Sequence, residues 1–231
     1  MHNPPESIES ARRPELASRV ARASDHRGAG VFRKATPERL SAFSDAVFAV
    51  LITVLVLELR PPDEPTFEAL LAHWPTGLSY AMSYLFIAIV WLNHHYLMRY
   101  ATEATPRLLW INFAHLFSMS LVPLSTAWMA VSRLAPQPVA FYAAVFFVVN
   151  ATYVALIVEL VDRDGVSQAV RRTMRTRSIV TLALFAAATV SALKYPLVGI
   201  GFCLCCLIAY LKPEAPGSAR WRSTRARNEK R

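Results

Sequence analysis

Apolar residues in this chain gather into six long runs, set apart by short polar or proline-rich segments. The first is Leu40 to Leu59. The others run from about Thr76 to Met98, Leu108 to Val131, Val139 to Val161, Ser178 to Leu193 and Leu197 to Leu211, the last being short. At about 1.5 Å per residue, a twenty-residue run crosses a hydrocarbon core of roughly 30 Å as a helix. The pattern predicts an all-α polytopic membrane protein with six transmembrane helices.

Local signals mark where these helices begin and end. Thr36-Pro37-Glu38 places a cap-like threonine and a proline ahead of the first run, a helix-start signal. Beyond Arg60, Pro61-Pro62-Asp63-Glu64-Pro65 reads as a rigid acidic turn, and Phe67 to Trp74 as a short interfacial helix. Pro123 falls inside the third run, where it should bend the helix or break its hydrogen-bond ladder locally. Asp162 to Arg177 reads as a strongly basic loop, with helix an option along Gln168 to Arg175, and Lys194-Tyr195-Pro196 as the tightest turn. The domain reading is a basic arm over residues 1–37, a membrane domain over 38–211 and a basic tail over 212–231, with arm and tail expected to be disordered.

The net charge of +9 raises a nucleic-acid partner, and the placement of the charge argues against one. Under six spans, 22 of the 25 Lys and Arg residues fall on the side that holds both termini, leaving Arg60, Arg133 and Lys194 on the other. The positive-inside rule then puts both termini in the cytoplasm.

The first run carries the most chemistry. Asp45 lies about a turn and a half inside it, and a carboxylate within a span costs on the order of 2.5 to 3.5 kcal/mol at the helix centre, less near an end. Hydrogen-bond donors must repay that cost. At 100° per residue, Ala42, Ala46, Ala49 and Thr53 share one face with Arg39, Val50 and Leu57 close by, while Leu40, Val47, Leu51, Leu55 and Leu59 fill the opposite side. A face of small residues either packs against protein or borders a pathway.

Arg39, Phe43, Ser44 and Asp45 form Arg-x-x-x-Phe-Ser-Asp. An Ala-Val-x-Ile-Thr-x-Leu-Val-Leu-Glu run follows, and the second span ends Trp91-Leu-Asn-His94-His95. This combination resembles the prokaryotic branch of the transmembrane protein 175 family of potassium channels, closely over the first two spans and by length and hydropathy beyond them. The resemblance implies a non-classical tetrameric cation channel in the cell membrane, passing potassium ions along a fourfold axis lined by the first span. It puts an apolar constriction at Val50, smaller than the Ile or Leu expected from the family, a threonine layer at Thr53 and Leu57 one turn above. It also implies a structural network of Arg39, Phe43, Ser44, Asp45, Trp91, His94 and His95. Glu58, with Asp63 and Glu64 beyond it, is open to two readings, a cation-attracting pore mouth and a solvated acidic turn.

Other chemistries find little support. No phosphate-cradling loop or dinucleotide fingerprint occurs, and no activated nucleophile or carboxylate pair suggests an enzyme. Cys203, Cys205 and Cys206 lack metal-site spacing, and His94 and His95 point about 100° apart on a helix. No cofactor or metal is expected. The rival is a proton-coupled secondary transporter using Asp45 and the His94/His95 region; no internal inverted repeat supports it.

Overall fold

The computed structural model describes residues 36–161 and 168–210, so the basic arm, the start of the fourth-to-fifth connection and the basic tail lie outside the described residues. Among the described residues the chain forms seven helices and no strand: α1 (Pro37–Leu57), α2 (Phe67–Ala72), α3 (Trp74–Met98), α4 (Pro106–Val131), α5 (Pro136–Val161), α6 (Gln168–Ala192) and α7 (Pro196–Tyr210). Prolines open several of them. Pro37 and Pro106 sit in first turns behind the threonine caps Thr36 and Thr105, whose side chains accept from Arg39 N and Leu108 N. Proline suits that position because its missing N–H would have had no intrahelical partner. Inside α4, by contrast, Pro123 does not end the helix, which runs unbroken to Val131.

α1, α3, α4 and α5 are long and apolar enough to cross a membrane. The chain is a multi-pass membrane protein. α6 differs from the sequence expectation, because the basic segment from Gln168 and the apolar segment from Ser178 form one 25-residue helix. Arginine is a good helix former, so charge interrupts the hydropathy without interrupting the backbone ladder. The apolar part of α6 and the 15-residue α7 would each reach roughly 22 Å, short of a full hydrocarbon core.

α6 and α7 are joined by the Lys194–Tyr195 turn, in which Tyr195 N donates to Ser191 O at 2.8 Å. Their close approach depends on small residues. A Cβ on Gly199 would lie 2.6 Å from Ala192 Cβ and 3.0 Å from the Ala188 carbonyl oxygen, so only glycine fits there.

Helix α5 packs against α4, α6 and α7, while α1 lies on α3 and α4. Phe86 of α3 stacks on Phe146 of α5 at 3.5 Å between ring centroids, and Phe185 of α6 meets both edge-on. Leu40, Ser44, Phe48, Leu51 and Leu55 form the inward stripe of α1. The opposite stripe of that helix is left uncovered.

Candidate functional site

The uncovered stripe is the small, polar face read from the sequence: Ala42, Ala46, Ala49, Val50, Thr53 and Leu57 are all exposed, Val50 at 58% and Leu57 at 79%. Leu59 is also exposed, since α1 stops at Leu57 with Glu58 as its C-cap. Thr53 Oγ1 donates its proton to the Val50 carbonyl at 2.8 Å. Its oxygen lone pairs are therefore turned away from the helix backbone, available to accept a hydrogen bond or to face a cation.

Asp45 flanks this stripe and is half-buried. Its Oδ1 accepts from the indole Nε1–H of Trp91 on α3 at 2.9 Å, and the Trp91 ring lies 5.9 Å from that of His95. On the inward side, Ser44 Oγ donates to Leu40 O at 2.9 Å and accepts from Asn112 Nδ2 of α4 at 3.0 Å. Asn112 Oδ1 in turn accepts from His94 Nε2 at 2.8 Å. One side chain thus ties three helices together.

The structure places Arg39 outside this network in the single chain. It is exposed, and its guanidinium meets no partner among the described residues. Phe43 is half-exposed and packs edge-on against Phe113 at 5.7 Å.

Asn112 and His115 are the site residues that the motif reading did not include. The His115 ring is parallel to that of His94 at 5.7 Å, and its Nδ1 donates to Thr152 Oγ1 of α5 at 2.9 Å, Thr152 having committed its own proton to a backbone carbonyl. His94 Nδ1 and His115 Nε2 are buried without a hydrogen-bond partner. The available signal was the pair Asn112 and His115, one turn apart within an otherwise apolar run, because an amide and an imidazole inside a span need partners from neighbouring helices. A second buried cluster, Ser83, Thr126 and Tyr142, joins α3, α4 and α5 through contacts of 2.7 and 3.0 Å.

At the far end of α1, Glu58 lines a cavity of about 360 Å³ together with Arg60, His73 and Arg133. Glu58 thus shares this cavity with two guanidinium groups. No group of three or more metal-ligating side chains occurs among the described residues.

Residues 39–123 match the family model described as endosomal/lysosomal potassium channel TMEM175. Over this stretch the chain is similar to the TMEM175 family. The matched region spans α1, α3 and α4 as far as Pro123, and so holds Ser44, Asp45, Trp91, His94, Asn112 and His115. A relative described as a potassium channel, from Chryseobacterium sp. (strain P1-3), is 29% identical over 181 residues, which is 78% of this chain and 94% of that protein. The endosomal/lysosomal proton channel TMEM175 of Gallus gallus is 32% identical over 100 residues, 38% of this chain but 20% of its own length. Among solved structures, the crystal structure of a lysosomal potassium-selective channel TMEM175 homolog from Chamaesiphon minutus superposes with a TM-score of 0.70. It covers 76% of this chain and 96% of the other at 24% identity, a likeness of fold.

Proposed function

We propose that this chain is an ion channel of the TMEM175 family and passes potassium through a pore lined by α1 from each of four copies in the cell membrane. The uncovered stripe of α1 carries the reading: Ala42, Ala46, Ala49, Val50, Thr53 and Leu57 face away from their own chain, while the leucine and phenylalanine stripe packs inward. A threonine-bearing stripe gains little from lipid, and one copy supplies one such helix. Lining a path on all sides therefore requires several copies. Related proteins named as channels support the same class.

In this arrangement Val50 forms an apolar ring where an ion sheds water without compensating ligands. One turn further, four Thr53 hydroxyl oxygens replace part of the hydration shell, at lower cost for potassium than for the more tightly hydrated sodium. Leu57 forms the next apolar layer. Asp45 and Trp91 fix the rotation of α1, so that the stripe faces the axis. The reading keeps six spans, with the α6–α7 hairpin as the fifth and sixth, and both termini in the cytoplasm, where 22 of 25 basic residues then fall.

Reversal potentials under bi-ionic potassium and sodium conditions test it. Thr53→Val should reduce the potassium preference while leaving the oligomer intact; an unchanged permeability ratio contradicts the role given to Thr53.

A second reading is proton movement, through a channel or in proton-coupled transport, by way of Asp45 and the His94/His95 region. The parallel His94–His115 rings and the proton-channel name of the Gallus gallus relative favour it. A reversal potential that follows the pH gradient and ignores potassium would select it.

A further inference from the structure

The cavity lies at the C-terminal end of α1, where the helix ends at Leu57 with Glu58 as its C-cap. Beside it, the six-residue helix α2 exposes Phe67, Leu70 and Leu71, and Trp74 opens α3 exposed to 56%. A short helix with an oily outer side next to a tryptophan is the composition of a membrane–water boundary. The cavity lining mixes charges of both signs, Glu58 with Arg60 and Arg133, against an apolar wall that includes Ala127 and Ala130. No ion pair joins these three side chains among the described residues.

Two of these charges sit where local structure disfavours them. Glu58 caps the C-terminus of α1, whose exposed carbonyls repel an anion and favour a cation beside it. Arg133 adopts φ 52° and Leu134 φ 64°. The turn closes α4 as a Schellman motif, with Arg133 N donating to Ala130 O and Leu134 N to Met129 O, each at 3.1 Å. Arg133 occupies the left-handed position that glycine fills most cheaply. The buried Leu134 anchors the turn, and this packing keeps Arg133 at the cavity despite the strain.

We propose that this cavity binds the headgroup of a zwitterionic phospholipid that carries a primary ammonium, a phosphatidylethanolamine. The phosphate takes Arg60 and Arg133, the ammonium takes Glu58, and the acyl chains descend along the exposed apolar surface of α4, which includes Leu124, Trp128 and Val131. About 360 Å³ accommodates a phosphoethanolamine group. Each charge then meets its opposite, including the acid at the C-terminus of α1. This inference rests on the membrane reading but on neither the conducted ion nor the pore.

Native mass spectrometry of the full chain in detergent, with phosphatidylethanolamine, phosphatidylcholine or phosphatidylglycerol added singly, tests it without any flux measurement. The wild type should retain phosphatidylethanolamine best, because the quaternary ammonium of phosphatidylcholine has no proton for Glu58 and phosphatidylglycerol has no cation. Glu58→Gln should erase the preference for phosphatidylethanolamine over phosphatidylglycerol, by about two- to fivefold, the range that an exposed ion pair supports. Arg133→Gly should weaken retention of all three lipids. Glycine relieves the left-handed strain, so that variant should melt no lower than wild type, which separates lost binding from lost folding. Equal retention of the three lipids by the wild type, an unchanged preference in Glu58→Gln, or displacement of the lipid by soluble phosphoethanolamine at equal concentration would each overturn the proposal.

Discussion

The indole N–H of Trp91 donates to Asp45 Oδ1 across 2.9 Å, fastening α1 to α3 beside the uncovered stripe of α1. A carboxylate inside a span is tolerated when donors repay its desolvation, and this bond is the side-chain hydrogen bond that Asp45 makes among the described residues. In the proposed pore it sets which way the helix faces.

Removing either partner should therefore loosen α1. Asp45→Ala and Trp91→Phe are each expected to cost about 1–2 kcal/mol, the range for a hydrogen bond to a charged group discounted for partial exposure. The two losses should be less than additive in the double variant, since they report one bond. Melting of the detergent-solubilised protein measures this, and full additivity would mean that the two residues act separately.

Asn112 should be at least as important, because its side chain serves both Ser44 of α1 and His94 of α3. Asn112→Ala leaves the buried His94 Nε2 without its acceptor, at a cost of about 1–3 kcal/mol. Thermal denaturation of Asn112→Ala, His94→Ala and the pair should give a double variant little worse than Asn112→Ala alone. A stability unchanged in Asn112→Ala would remove the network from the account.

The two glycines of α7 make opposite predictions from the same substitution. Gly199→Ala forces a methyl to within 2.6 Å of Ala192 Cβ and should destabilise by about 1–3 kcal/mol through overpacking. Gly201→Ala meets nothing within 4 Å and should be neutral or stabilising by up to about 1 kcal/mol, the helix-propensity difference. Equal melting temperatures for the two variants would mean that α6 and α7 do not pack as described.

The two faces of α1 were legible in the sequence because an amphipathic period of 3.6 residues depends on one helix alone. Leu40, Leu51 and Leu55 are buried and Ala42, Ala46, Ala49 and Thr53 exposed, as the spacing implies. Asp45 and Trp91 stood together in the set of residues that the resemblance implies, and the structure supplies their pairing. Asn112 and His115 were not, because a polar residue in an apolar run declares a need for partners without naming them; the partners come from helix packing. The length of α6 was hidden for a different reason, since hydropathy falls at Arg171, Arg172, Arg175 and Arg177 while helix propensity does not. That Arg133 shares a cavity with Glu58 was not legible, because the two are distant in sequence and meet only through the end of α4.

The claim that α1 lines the conduction path is tested most directly by current through single-cysteine variants, made in a background without Cys203, Cys205 and Cys206, before and after a water-soluble thiol reagent. Val50→Cys and Thr53→Cys should be progressively blocked, because both side chains lie on the uncovered stripe. Leu51→Cys, buried on the inward stripe at 6% exposure, should conduct unchanged. Unmodified current at both Val50→Cys and Thr53→Cys, or block of Leu51→Cys at the same rate, would contradict a pore lined by this face.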